Sequence, residues 1–191
     1  AIDWTIDAAG ALRIDASFAP LLDLPRLGIA FELAEGYERL AWFGRGPHET
    51  MWDRKSGLPI GRYDLPIAEL VHEYLRPQEN GNRTDVRWAR ISGSDVPALL
   101  VADATGSGFE ATVRPYRQAD LADATHHHLL VHRPTTTVTL DLHQRGVGGD
   151  LPIGAGATTV HREFQLRRGR THRLGVVLQA EVPARSAPDP A

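Results

Sequence analysis

The segment from Tyr74 to Trp88 concentrates the side chains that could do chemistry or bind a ligand. It carries three arginines, two carboxylates and three amides around Pro77 and the dipeptide Asn80-Gly81. Asn-Gly favours positive φ in a tight turn, so the segment is predicted to form a turn that is too polar for a core strand. Amides and guanidinium groups such as Asn80 and Arg83 suit a hydroxyl-rich ligand, for example a sugar. The alternative is an ordinary solvated hairpin loop.

Paired carboxylates are a second candidate, because a glycosidase needs an acid and a nucleophile or base at a set separation. Two such pairs stand out, Glu49 with Asp53 and Glu73 with Glu79. Most of the 24 acidic residues are nevertheless expected to be ordinary surface charge. Glu79 is interpreted as an ion-pair partner of Arg76 and Arg83 that fixes the polar turn.

Histidines, glycines and tryptophans supply three further patterns. His126 and His128 would share one face of an extended chain, but no cysteine and no third ligand at a suitable spacing complete a metal site, so none is predicted. The stretch Gly146 to Asp150 lacks the Lys-Ser/Thr of a phosphate-binding loop, which argues against nucleotide binding. Three tryptophans could stack on a sugar, and one or two of them are expected to be core anchors: Trp42, Trp52 and Trp88.

Length and composition restrict the class of protein. A chain of 191 residues is expected to form one domain here, and its net charge of −3 without a basic block argues against nucleic acid. No apolar run reaches the roughly 20 residues of a membrane helix, and no signal peptide is apparent, so a cytoplasmic location is expected. The chain begins without Met inside a strand-like pattern, which suggests a segment of a longer protein.

The elements that must position these residues are predicted to be short strands. Alternating apolar and polar residues, separated by Gly, Pro, Asp and Ser clusters, indicate an all-β fold, a large antiparallel β-sandwich. A short helix capped by Asp120 is predicted over residues 120–128, and a disordered tail over residues 181–191. Strands are predicted at Trp4–Ile6, Ala11–Phe18, Leu27–Leu33, Arg39–Phe43, Val86–Ile91, Ala98–Ala102, Phe109–Arg114, Leu129–His132, Thr135–His143, Thr158–Leu166 and Thr171–Gln179.

Several segments together resemble the C-terminal domain of large bacterial β-galactosidases of the family-two glycoside hydrolases. The resemblance implies a supersandwich of the galactose-mutarotase-like type over residues 1–180, the last domain of an enzyme that hydrolyses terminal β-D-galactosides such as lactose. The segments that carry it, in order, are Leu24–Gly28, Trp42–Glu49 with Asp53-Arg54, Tyr63, Pro77–Arg83, Thr125–Leu130 and Gly146–Asp150.

The same resemblance implies where the catalytic parts lie. The catalytic glutamates, with Mg²⁺ and Na⁺, belong to an upstream TIM-barrel domain, so no catalytic residue and no cofactor is expected in this segment. The expected partners are the upstream barrel and sandwich domains, the galactoside substrate, and further copies in a homo-oligomeric parent. In the family a tryptophan after Gly-Gly-Asp stacks on the sugar. Ile153 takes that place here, so the rim candidates are Trp52, Asn80, Arg83, Asp150 and Ile153.

Two other functions fit the sequence. One is a stand-alone aldose epimerase of the same fold, using a histidine acid and a carboxylate base, for which His72, His127 and His128 are available. The other is a carbohydrate-binding module. A domain that packs against others is further expected to expose an apolar patch and to self-associate weakly when isolated.

Overall fold

The computed structural model describes residues 1–146 and 160–181. Within them lie eleven strands, one short helix, α1 (Gln118–Asp123), and 3₁₀ turns at Ile67–Glu69, His127–Leu129 and Arg162–Phe164. No helix in these two stretches is long and apolar enough to cross a membrane. The strands are β1 (Ile2–Ile6), β2 (Leu12–Phe18), β3 (Arg26–Leu33), β4 (Arg39–Arg45), β5 (Ile60–Pro66), β6 (Arg83–Val86), β7 (Trp88–Ser92), β8 (Ala98–Asp103), β9 (Phe109–Arg114), β10 (Thr136–Gln144) and β11 (His172–Glu181).

The strands form two antiparallel sheets that pack face to face. The larger sheet has the order β1-β2-β11-β8-β7-β4-β5, and the smaller has the order β3-β10-β9-β6. Apolar side chains from both sheets meet between them, including Trp42 of the larger sheet and Phe109 and Leu140 of the smaller. The predicted all-β sandwich is therefore confirmed.

The β1-β2 hairpin shows how local sequence sets the register. Gly10 takes a φ of +80°, and the carboxylate of Asp7 accepts hydrogen bonds from the backbone N–H groups of Ala9 and Ala11, both at 2.9 Å. This closed turn pairs Trp4 with Ile14. The predicted hairpin forms, and burial alternates along β2, whereas all five residues of β1 are exposed.

The smaller sheet is unusual because its outward face is buried as well. In β9 the side chains that alternate with the core residues are Glu110, Thr112 and Arg114, and all three are buried. Thr137, Thr139 and Asp141 occupy the matching positions of β10 and are also buried. A polar layer therefore covers this face of the smaller sheet, along β9 and β10.

Two predicted strands are not found within the described residues. Residues 129–132 follow the 3₁₀ turn His127–Leu129, where Leu130 donates a backbone hydrogen bond to His127 at 3.0 Å, so local bonds replace sheet pairing. In the described part of 158–166 the chain forms the 3₁₀ turn Arg162–Phe164, and only Leu166 bridges to another segment, at Leu24. Short apolar runs do not distinguish strands from turns.

The ends of two other elements differ from the predicted ones by a few residues. Helix α1 starts at Gln118 rather than at Asp120, whose carboxylate instead caps it from the first turn by accepting the backbone N–H of Arg117 at 2.8 Å. Strand β11 continues to Glu181, which pairs with Ala98, while the rest of the predicted tail lies outside the described residues.

An exposed apolar strip lies on β1, at the edge of the larger sheet. Ile2, Trp4 and Ile6 share one face and are 44%, 60% and 72% exposed. Their register partners on β2 include Ile14 and Ala16, which are buried in the core. The strip thus extends the core-facing side beyond the cover of the smaller sheet, as expected for a domain that packs against others.

Candidate functional site

The polar stretch of residues 80–84 is buried, so the alternative of an ordinary solvated hairpin loop does not hold for these residues. Asn82 shows why burial is possible: its amide donates to the Glu110 carboxylate at 2.7 Å and to the Thr50 carbonyl at 3.0 Å. The backbone N–H of Thr84 also donates to the Thr50 hydroxyl, at 2.9 Å. Polar groups can be buried when hydrogen bonds replace those to water, a condition that sequence composition does not reveal.

The Asn80-Gly81 turn forms as predicted, but its polar groups bind the protein itself. Gly81 has a φ of +81°, and its backbone N–H donates to the Glu49 carboxylate at 2.6 Å. The Asn80 side chain accepts the backbone N–H of His72 at 3.1 Å and donates to the Gln78 carbonyl at 2.8 Å. The Asn80 amide therefore holds the turn together.

Arg83 points into the sandwich. Its Cα is in register with Ala111, a core residue, and its guanidinium lies 5.2 Å from the ring centre of Trp42. Burial lowers the pKa of Arg83 to about 10. Its Nη1 donates to the carbonyls of Gly81 and Asn82 at 3.0 and 3.2 Å.

The predicted ion pair between Glu79 and Arg83 is wrong. Glu79 Oε1 instead accepts from Arg26 Nη1 at 2.7 Å and from Arg114 Nη1 at 2.8 Å. The reason is the alternation of strands: Arg83 faces the core, while Arg114 projects from the opposite face of the sheet, where Glu79 lies.

Trp52 forms the centre of a compact cluster of aromatic and charged groups. Its ring stacks on the His143 imidazole with centroids 3.6 Å apart, and Lys55 Nζ lies 3.9 Å from the ring centre. Two groups this close to one centroid must occupy opposite faces of the indole. In turn, Asp85 accepts hydrogen bonds from Lys55 Nζ at 2.7 Å and from Arg45 Nε at 2.5 Å. Protein groups thus cover both faces of Trp52.

Asp85 fixes this cluster at the cost of an unfavourable backbone conformation. Its φ is +55°, a left-handed value that is uncommon for residues other than glycine, at an irregularity in the pairing of β6. Burial acts to raise the pKa of Asp85, but the hydrogen bonds from Lys55 and Arg45 outweigh it, and the pKa is lowered. The carboxylate is therefore charged and anchors two cations.

A buried acid supports the other side of the cluster. His143 Nδ1 lies 3.3 Å from Glu110 Oε1, while Glu110 Oε2 accepts from Asn82 and from the backbone N–H of Gln144 at 2.7 and 2.8 Å. Burial raises the pKa of Glu110 well above its usual value. Burial, followed by the charge of Lys55, lowers the pKa of His143 to about 4, so the imidazole is neutral at pH 7.

The cluster lies at the point where the segment of residues 147–159 begins. The backbone N–H of Trp52 donates to the Gln144 carbonyl at 2.8 Å, and Asp53 Oδ1 accepts the backbone N–H of Gly146 at 2.6 Å. Asp150 and Ile153, the remaining rim candidates, lie outside the described residues. The structure thus connects Trp52 to the base of the predicted rim segment.

The other candidates are separated from this cluster or have structural partners. Trp42 is a fully buried core anchor and Trp88 is half-buried. The carboxylates of Glu49 and Asp53 bind the backbone of Gly81 and Gly146 respectively. The imidazoles of His126 and His128 lie on the surface with centroids 5.6 Å apart. Among residues 1–146 and 160–181, no group of three or more His, Asp and Glu residues is placed to hold a metal ion.

Sequence reasoning missed four members of the cluster: Lys55, Asp85, Glu110 and His143. One of them carried a visible signal, since Lys55 is the single lysine of the chain, whereas Glu110 takes an ordinary polar position in the alternating strand β9. The signal did not indicate the partner, because the contacts join residues far apart in sequence, such as Lys55 with Asp85 and Glu110 with His143.

Comparison with known proteins places this arrangement in a family. Residues 1–178 match the family described as "Beta galactosidase small chain". A β-galactosidase of Priestia megaterium is 36% identical over 152 residues, covering 78% of this chain and 14% of that protein. Beta-galactosidase 2 of Enterobacter cloacae is 37% identical over 150 residues, which cover 77% of this chain and 14% of that protein. The β-galactosidase of Psychromonas ingrahamii is 35% identical over 173 residues, which cover 88% of this chain and 16% of that protein. The chain thus spans about one seventh of these relatives and belongs to the β-galactosidase small-chain family.

Proposed function

We propose that this chain is the non-catalytic part of a β-galactosidase that hydrolyses terminal β-D-galactosides such as lactose, and that it completes the rim of the active site. The family and the small share of each relative that the chain covers support a role as one domain of a larger enzyme. In this proposal the catalytic glutamates, with Mg²⁺ and Na⁺, lie in a TIM-barrel domain outside this chain. The parent enzyme is a cytoplasmic homo-oligomer.

One observation carries the proposal for the rim. Trp52 and its neighbour Asp53 form hydrogen bonds with Gln144 and Gly146, the residues that lead into the segment 147–159. Because His143 and Lys55 cover both faces of the indole, Trp52 acts as a positioning residue rather than as a stacking platform. It sets where the rim segment with Asp150 and Ile153 starts.

A chimera tests this role. The matching segment of the Priestia megaterium β-galactosidase is replaced by this chain, and hydrolysis of a chromogenic β-galactoside is measured. The chimera is expected to be active. Trp52→Ala is expected to lower kcat/KM about 10-fold to 100-fold, since a displaced loop costs roughly 1 to 3 kcal/mol of positioning. Trp52→Phe keeps a stacking ring against His143 and is the matched control, expected to retain most activity.

Two results would overturn the proposal. A folded chimera of native oligomeric size without activity would show that the chain does not complete the enzyme. Hydrolysis by the 191-residue chain alone would show that it contains its own catalytic groups. Equal kcat/KM for Trp52→Ala and Trp52→Phe would remove the positioning role of Trp52 while leaving the domain assignment intact.

The epimerase alternative is less well supported by the arrangement. It requires a histidine and a carboxylate on one accessible surface, but Glu110 is buried and Trp52 covers its partner His143. His72 and His128 lie exposed on surface loops. Mutarotation of fresh α-galactose at the buffer rate is therefore expected.

A further inference from the structure

A cleft of about 480 Å³ lies over the outward face of the smaller sheet, along its β3 edge. This volume is within the range of about 300 to 1,000 Å³ that is usual for small-molecule sites. The floor is formed by Ala30 of β3 and by Thr137 and Thr139 of β10, with Thr139 in register with Ala30. Arg26 and Arg117 line opposite ends of the cleft. The cleft shares this sheet face with the Trp52 cluster but extends toward the other end of β10.

Small residues on β3 create the space. Ala30 is exposed, and Gly28 lies in register with Asp141. A Cβ built on Gly28 would lie 2.2 Å from Asp141 Oδ1 and 2.3 Å from the Leu140 carbonyl oxygen. Glycine is therefore required for the Asp141 carboxylate to lie flat against β3, which leaves the floor open above it.

The charges around the cleft are balanced. Arg26 contacts Asp141 Oδ2 with Nε at 2.8 Å and Nη2 at 2.7 Å, and it also pairs with Glu79. Arg114 donates to Glu79 and to the Gln118 side chain at 2.8 and 2.7 Å. An anionic ligand would have to displace carboxylates from these arginines, so the cleft favours a neutral ligand.

The third arginine of the cleft, Arg117, is also paired with a carboxylate. Arg117 Nη2 donates to Glu32 Oε2 at 2.8 Å, and both residues line the cleft. Three guanidinium groups thus face three carboxylates: Arg26, Arg114 and Arg117 against Glu32, Glu79 and Asp141.

Three residues that line the cleft carry a buried polar atom without a hydrogen-bond partner among the described residues: Arg26 Nη2, Arg114 Nε and Thr137 Oγ1. Arg26 Nη2 lies 2.7 Å from Asp141 Oδ2 and is compensated by that ion pair, which leaves Arg114 Nε and Thr137 Oγ1. Arg114 and Thr137 are in register on neighbouring strands, both line the cleft, and they are 1% and 7% exposed. A buried donor without a partner is unfavourable, and a hydroxyl is a group that can accept from a guanidinium or exchange a hydrogen bond with a threonine.

We propose that this cleft is a binding site for a neutral, hydroxyl-rich ligand of saccharide size. The size of the cleft, its balanced charge, and the unsatisfied polar atoms of Arg114 and Thr137 in its lining point to this class. The proposal is independent of the rim role proposed above, because binding here is measured on the chain itself and requires no hydrolysis.

The test is an NMR titration of lactose into the ¹⁵N-labelled 191-residue chain. The amide signals that shift are expected to centre on Ala30, Thr137 and Thr139. Ala30→Leu fills the floor without removing any charged group and is expected to weaken lactose binding at least about tenfold. Ala180→Leu makes the same change at an exposed strand position of β11 outside the cleft and is the matched control, expected to bind as the wild type does.

Citrate and glycerol serve as anionic and minimal polyol probes. Failure of lactose to bind the wild-type chain would overturn the proposal, as would equal affinity in Ala30→Leu or shifts centred on Trp52 and His143. Citrate binding that displaces lactose at Ala30 would reassign the cleft to anions. Loss of lactose binding in Ala30→Leu together with full activity of the corresponding chimera would support this site and separate it from the rim.

Discussion

Protonation of His143 is expected to destabilise the fold in mild acid. The imidazole is stacked on Trp52 and close to Lys55, and its pKa is lowered from 6.5 to about 4. Below pH 6.5 the unfolded chain therefore binds a proton that the folded chain does not. The stability contributed by His143 is complete above pH 6.5 and is lost as the pH falls toward 4.

The pKa values fix the size of this effect. The gap between 6.5 and about 4, at about 1.36 kcal/mol for each pKa unit, corresponds to about 3 kcal/mol of unfolding free energy. Glu110 acts in the opposite direction, because its raised pKa lets the folded state take up a proton first as the pH falls. The change is therefore best measured as a difference between variants that share Glu110.

Urea unfolding followed by tryptophan fluorescence between pH 4 and 7.5 provides the assay. His143→Gln can still hydrogen-bond Glu110 but cannot be protonated, so its stability relative to the wild type is expected to rise by about 3 kcal/mol as the pH falls through this window. His126→Gln, at an exposed histidine, is the matched control and is expected to follow the wild type. A constant difference between His143→Gln and the wild type at every pH would refute the reasoning.

Three further predictions concern stability and association. Gly28→Ala is expected to destabilise the chain by several kcal/mol, because the new Cβ would lie 2.2 Å from Asp141 Oδ1, and a wild-type urea midpoint would contradict this. Arg83→Ala is expected to cost about 2 to 4 kcal/mol and exposed Arg87→Ala less than about 1 kcal/mol, so equal urea midpoints would argue against the core role of Arg83. Trp4→Ser is expected to reduce self-association of the isolated chain in sedimentation experiments, since Trp4 is 60% exposed on an apolar strip, and an unchanged association constant would exclude that strip as the contact.

The strands that the sequence predicted well are those in which local information is sufficient. The alternation in β2 and the threonine-rich β10 carry a period of two over seven and nine residues, and β-branched side chains suit the pleat. The β1-β2 turn was equally clear because Gly10 and Asp7 close it locally. The run at 129–132 was too short to carry such a signal.

The polar stretch at residues 80–84 shows where sequence reasoning stopped. Its composition indicated a surface turn, yet Asn82 and Arg83 are buried. The burial of Asn82 depends on partners 28 and 32 residues away, Glu110 and Thr50. A composition-based argument cannot identify these partners, because the pairing exists only after the sheet has formed.

The sequence by itself determined most of the strands, the sandwich class, the positive φ at Gly81 and, through ordered motifs, the β-galactosidase family. These depend on residue types and their spacing along the chain. The tertiary structure alone decided that Glu79 pairs with Arg26 and Arg114 rather than with Arg83, that Trp52 lies between His143 and Lys55, and that a charge-balanced cleft opens over β3. The physical reason is that strand alternation and register choose which side of a sheet each residue occupies, and only that choice brings distant charges within hydrogen-bonding distance.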